Sequence, residues 1–166
     1  MKRSLVFLII LSCATLHAEE RFETGQAARA VIGQRTFTDQ VPGTSATLVG
    51  AASGLAYAND TLFVADANRI GASPRNHRVL VYNNVSSMVP AKTQELFHTT
   101  DCPVCVGQAS LVIGQTDFTG GDFALAQNRM RLPTSVATDG VRLAVADTDN
   151  NRVLIWNRLP TVNGQN

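Results

Sequence analysis

The strongest constraint on this chain is internal repetition. Val31-Ile32-Gly33-Gln34, followed by Phe37-Thr38, returns as Val112-Ile113-Gly114-Gln115, followed by Phe118-Thr119. Leu62-Phe63-Val64-Ala65-Asp66 returns as Leu143-Ala144-Val145-Ala146-Asp147. Both blocks recur 81 residues on, from 31 to 112 and from 62 to 143, so a whole supersecondary unit is repeated rather than one short motif. A third pair, Arg78-Val79-Leu80-Val81-Tyr82-Asn83 and Arg152-Val153-Leu154-Ile155-Trp156-Asn157, is spaced by only 74 residues, which places a seven-residue insertion of the first copy within Ala67 to His77. Repetition on this scale speaks to architecture, and any activity has to be argued from particular residues.

Each copy reads as a series of short strands set apart by turn residues. Ala28 to Gln34 is rich in β-branched positions and reads as a strand, with Gly33 as a bulge or a point of close backbone approach. Residues 38–53, rich in Thr, Ser, Gly and Pro, read as an irregular connection. Leu55 to Tyr57 and Leu62 to Ala65 flank Asn59-Asp60, while Val136 to Thr138 and Leu143 to Ala146 flank Asp139-Gly140, a strong hairpin signal. Arg78 to Tyr82 and Arg152 to Trp156 supply a third strand, and the Val-Ile-Gly-Gln block supplies a fourth. No stretch after the N-terminal segment carries helical periodicity over the length a helix needs. The expected fold class is therefore all-β, built as a repeat of antiparallel four-stranded units.

The segments from Leu62 through Tyr82 and from Leu143 through Trp156, each with the Asp, Asn and Arg positions between its strands, resemble NHL repeats of six-bladed β-propellers. The Val-Ile-Gly-Gln-x-x-Phe-Thr block and Leu159-Pro160-Thr161 further resemble a branch of exported bacterial NHL proteins. The resemblance covers nearly all of residues 28–166 and implies propeller blades there. It also marks a departure in number, since fewer than two complete four-stranded blades are present, whereas closed propellers use about four to eight. The expectation is a partial sequence, a truncated product, or a chain that completes its ring by self-association.

Residues 1–18 read as an export signal, with Lys2 and Arg3 ahead of an apolar run from Leu5 to Leu11 that is too short for a stable membrane anchor. Cleavage before Glu19 is the first reading, and it leaves 19–27 as a polar lead-in. Ile10-Leu11-Ser12-Cys13 supports a competing reading as a lipobox, in which a lipid on Cys13 would tether the protein to a membrane. The expected location is periplasmic or extracellular. The whole chain has a formal net charge of +1, and residues 19–166 hold 12 basic against 13 acidic residues. Without a basic stripe, nucleic acid is not an expected partner.

Asp66 and Asp147 each follow a strand and precede an Asn/Arg segment, so their carboxylates are placed to accept turn N–H groups and to pair with Arg78 and Arg152. Asn151 belongs to the same repeated segment. Metal or substrate ligation by the aspartates with Asn150 or Asn151 is the functional alternative, but recurrence in both units favours structure. Gly33-Gln34 and Gly114-Gln115 lack the third glycine, lysine and following helix of a phosphate loop, and read as strand-end bulges whose amides bond backbone groups. Cys102-Pro103-Val104-Cys105 is not repeated. It is a candidate structural disulfide, with half a zinc site, a redox pair and free thiols as the other readings, while Val106 stands where a haem-attachment motif needs His. His77 and His98 read as solvated loop residues.

These readings favour a noncatalytic scaffold that recognises a protein or carbohydrate partner and needs no cofactor. The alternative implied by the resemblance is part of a metal-dependent propeller hydrolase or lyase, with calcium or zinc in a central channel.

Overall fold

The computed structural model describes residues 24–67, 73, 75–90 and 107–165. Within them the fold is all-β, with seven strands in two antiparallel sheets. The N-terminal sheet contains β1 (Ala52–Ala58), β2 (Thr61–Ala67), β3 (His77–Asn83) and β4 (Leu111–Ile113), in that order across the sheet. The C-terminal sheet contains β5 (Pro133–Thr138), β6 (Leu143–Asp147) and β7 (Arg152–Trp156), also in chain order. The helical pieces are a four-residue helix, Val85–Met88, and a single 3-10 turn, Thr148–Asn150.

Turn chemistry sets both first hairpins. Asn59 and Asp60 take φ of 49° and 57°, the left-handed pair that a tight hairpin with the natural strand twist requires, and Ala58 pairs directly with Thr61. In the second copy the terminal pair is Thr138 with Leu143, so Asp139 to Arg142 form the loop. There the Asp139 carboxylate accepts from the N–H groups of Val141 and Arg142 and pairs with the Arg142 guanidinium at 2.7 Å. These contacts hold its pKa at about 2. Each sheet also carries an irregularity at the same place, between Ala52 and Gly54 and between Pro133 and Ser135.

Alternation divides the N-terminal sheet into two apolar faces. Phe63, Ala65, Val79, Val81, Leu111 and Ile113 share one core with Val136, Leu143, Val145 and Trp156, so the front of this sheet packs on the back of the C-terminal one. On its other face, Val64, Leu80, Tyr82 and Val112 form a second cluster, against which Ile32, Val49, Met88 and Phe118 pack.

Two sequence expectations differ from the structure. Ala28 to Gln34 is not a strand, although its repeat Leu111–Ile113 is one. A strand needs a ladder partner, and β4 has β3 to pair with, whereas Ile32 packs against the back of the N-terminal sheet and, among the described residues, no strand pairs with residues 28–34. His77 is not a solvated loop residue but the buried first residue of β3. Residues 1–23, which include the expected export signal and Cys13, lie outside the described residues, as do Cys102, Cys105, His98 and most of the insertion after Ala67.

Candidate functional site

The repeated polar residues converge on one buried cluster per sheet. In the N-terminal sheet, Asp66 at the end of β2 is fully buried. Its Oδ1 accepts from the backbone N–H of Gly50 (2.9 Å) and Ala51 (3.0 Å). Its Oδ2 accepts from Asn76 Nδ2 (2.7 Å) and Arg78 Nε (2.8 Å), and the second guanidinium nitrogen also lies 2.8 Å away. Arg78, equally buried, also donates to the carbonyls of Leu48 and Phe118. A buried ion pair costs desolvation, and here that cost is offset by hydrogen bonds on every side.

The second copy repeats this geometry. Asp147 Oδ1 accepts from Arg131 N (2.6 Å), and Oδ2 accepts from Asn150 Nδ2 (2.9 Å) and Arg152 Nε (2.7 Å). Arg152 then donates to the carbonyls of Ala126 and Arg129. Arg129 and Leu48 are the same repeat position, 81 residues apart, as are Arg131 and Gly50. Each cluster ties the loop that enters a sheet to the turn between its second and third strands.

The asparagine in each cluster is Asn76 or Asn150, two residues before the arginine, and not Asn151. Asn151 is exposed with φ of 53°, closing the 3-10 turn through its N–H to Thr148 O. The sequence signal for Asn76 and Asn150 is the shared Asn-x-Arg spacing.

The glycine-glutamine pairs also repeat. Gly33 and Gly114 take φ of 90° and 88°. Gln34 bonds Val41 through both ends of its amide, at 3.0 and 2.9 Å. Buried Gln115 donates to Asp122 O, likewise seven residues on, and to His77 O, while Arg129 caps its carbonyl at 2.9 Å. His77 Nδ1 accepts from Leu132 N at 3.0 Å, and its ring meets Phe123 edge-on at 5.5 Å. Burial is the largest influence on this imidazole, with the charges of Arg131 and Arg75 adding to it, and its pKa is held below the ordinary value. Tyr82 is the contrary case, a fully buried phenol whose hydroxyl has no hydrogen-bond partner among the described residues and whose pKa burial pushes far up.

Among the described residues, no group of three or more His, Cys, Asp or Glu side chains is placed to hold a metal ion, and no helix is long and apolar enough to cross a membrane. A shallow hollow of about 220 Å³ lies along β7, lined by Gln127, Leu154, Ile155 and Trp156. Fold and clusters together define an all-β protein of stacked, repeated antiparallel sheets, each pinned by a buried Asp-Asn-Arg cluster. Comparison with known proteins found no matching family model, no matching curated protein and no matching solved structure.

Proposed function

We infer that this chain is an exported, noncatalytic scaffold, a segment of an NHL-type β-propeller whose sheets hold connecting loops for a protein or carbohydrate partner. One observation carries the reading. The charged residues that looked most like chemistry, Asp66, Arg78, Asp147 and Arg152, direct their hydrogen bonds inward to loop backbone, in the same way in both copies. A group repeated in every unit and bonded within the fold serves architecture, which leaves recognition to the connections. The meander order of both sheets and their face-to-back stacking support the propeller part of the reading.

Titration with calcium and with zinc, followed by calorimetry and thermal unfolding, tests it. The scaffold predicts no stoichiometric heat and an unchanged Tm. One-to-one binding of either ion would instead favour the metal-dependent hydrolase or lyase. Export is tested separately by mass spectrometry of the mature N-terminus, which distinguishes a chain starting at Glu19 from one starting at a diacylated Cys13, and an intact Met1 terminus would rule out both.

A further inference from the structure

Residues 161–165 form a strap along the outer edge of β4, and the strap uses a side chain where a strand would use backbone. The Val112 N–H donates to Asn163 Oδ1 at 3.0 Å, and the Val112 carbonyl accepts from Gly164 N at 3.2 Å. Asn128 Nδ2 donates to the Gly164 carbonyl at 3.1 Å, and Gln165 Oε1 accepts from Thr161 N at 2.7 Å. The polar groups of an edge strand need partners, and one asparagine amide here supplies an acceptor that a ladder would have given.

This docking selects a reactive pair of residues. Gly164 takes φ of 62°, and a Cβ there would lie 3.0 Å from Gln115 O, so the position after Asn163 excludes a side chain. The result is the single Asn-Gly step in the sequence. With no side chain in the way, the Gly164 nitrogen is free to attack Asn163 Cγ whenever the strap is undocked. A C–N bond forms, the bond from Cγ to the amide nitrogen breaks and ammonia leaves. Water then opens the five-membered imide to aspartate or isoaspartate, and nothing is oxidised or reduced. Docking blocks the attack from both sides, because the N–H of the attacking nitrogen is committed to Val112 O and the oxygen on the electrophilic carbon is pinned to Val112 N. Asn163 itself is exposed, so water has access to it.

We propose that Asn163-Gly164 is a spontaneous deamidation site which docking of the strap protects, and that its isoaspartate product keeps the strap off β4. Aspartate retains a side-chain oxygen for the Val112 N–H. Isoaspartate routes the main chain through the former side chain and adds one carbon to it, which moves Gly164 N out of register with Val112 O. Local opening of the β4 edge is thereby converted into a lasting covalent mark. This inference does not depend on what the scaffold binds.

Peptide mass spectrometry that separates aspartate from isoaspartate, applied over time to the purified full chain at neutral pH, tests it. Deamidation at Asn163 is expected to be slowest in folded wild type, several-fold faster in Asn128→Ala, and fastest in the chain unfolded in guanidinium chloride. Gln165→Ala, which frees Thr161 N instead, is a second loosened strap for the case in which circular dichroism shows Asn128→Ala to be unfolded. Hydrogen exchange at the Val112 amide then reads docking, with protection expected in Asn163→Asp and lost in the isoaspartyl species. Equal rates in the folded and unfolded chain would overturn the proposal. So would loosened straps that react no faster than wild type, or equal Val112 protection in the isoaspartyl species and Asn163→Asp.

Discussion

At the residue scale, the Asp-Asn-Arg clusters show how a sequence repeat separates structure from chemistry. Asp66 accepts four hydrogen bonds in a buried site, so removing its carboxylate leaves Arg78 charged, buried and without its ion-pair partner. Asp66→Ala is therefore expected to cost about 3–5 kcal/mol, read as a lower urea midpoint at unchanged slope. Asp147→Ala is expected to cost less, because Arg152 is 27% exposed and water can take over part of its solvation. Equal losses would mean that burial does not set the scale. Tyr82 predicts the opposite sign. Its buried hydroxyl has no partner, and Tyr82→Phe is expected to stabilise the fold by about 1 kcal/mol, seen as a raised Tm.

His77 gives a pH dependence. Its pKa is lower in the folded protein than in the unfolded chain, so the unfolded state binds more protons as the pH falls below the ordinary value of 6.5. Its contribution to stability is complete above that value and is lost as the pH falls toward the lowered native pKa. Urea midpoints measured downward from pH 7 are expected to fall more steeply for wild type than for His77→Gln. Parallel curves would show that His77 does not couple to folding. The Asp-Arg pairing was legible in sequence because it recurs in both copies. The burial of His77 was not, because it is created by Phe123 and Leu132, which lie on a connection far along the chain.

At the element scale, strands were legible where apolar runs recur and a partner run lies nearby. Leu62 to Ala65 and Leu143 to Ala146 both have neighbours on each side, and both are strands. Val31 and Ile32 repeat Val112 and Ile113 of β4, but among the described residues no strand pairs with them, and strand propensity alone does not make a ladder. The glycine after each Val-Ile pair is a stricter requirement. Gly114 has φ of 88°, and a Cβ there would lie 2.8 Å from Met130 Cε and 3.0 Å from the His77 carbonyl oxygen. Gly25, with φ of 79°, has nothing within 4 Å of the same added atom. Gly114→Ala is thus expected to lose more than the roughly 1–2 kcal/mol of left-handed backbone strain, and Gly25→Ala no more than that. Comparable Tm shifts for the two would show that packing around Gly114 is not the constraint.

At the scale of the whole molecule, the two sheets share one core, and the N-terminal sheet carries a second cluster on its back. Phe63, Val79 and Val81 from one sheet and Val136, Val145 and Trp156 from the other fill the shared cluster, so the front of the N-terminal sheet and the back of the C-terminal sheet stay dry only together. Equal spacing of the repeats makes consecutive similar units legible, but which face of one meets which face of the next is set by packing between residues far apart in sequence. The chain contains one tryptophan, and it lies in this shared layer, on β7. Its fluorescence therefore reports on the C-terminal sheet, while far-ultraviolet circular dichroism reports on both. If the sheets unfold as one unit, the two signals trace the same urea transition in wild type. Phe63→Ala, a truncation in the N-terminal sheet worth about 3–5 kcal/mol, then moves the Trp156 transition by as much as the dichroism transition. A Trp156 midpoint that stays in place while the dichroism curve splits would mean that the C-terminal sheet stands without its neighbour, and that the shared layer is a contact between two independent folding units.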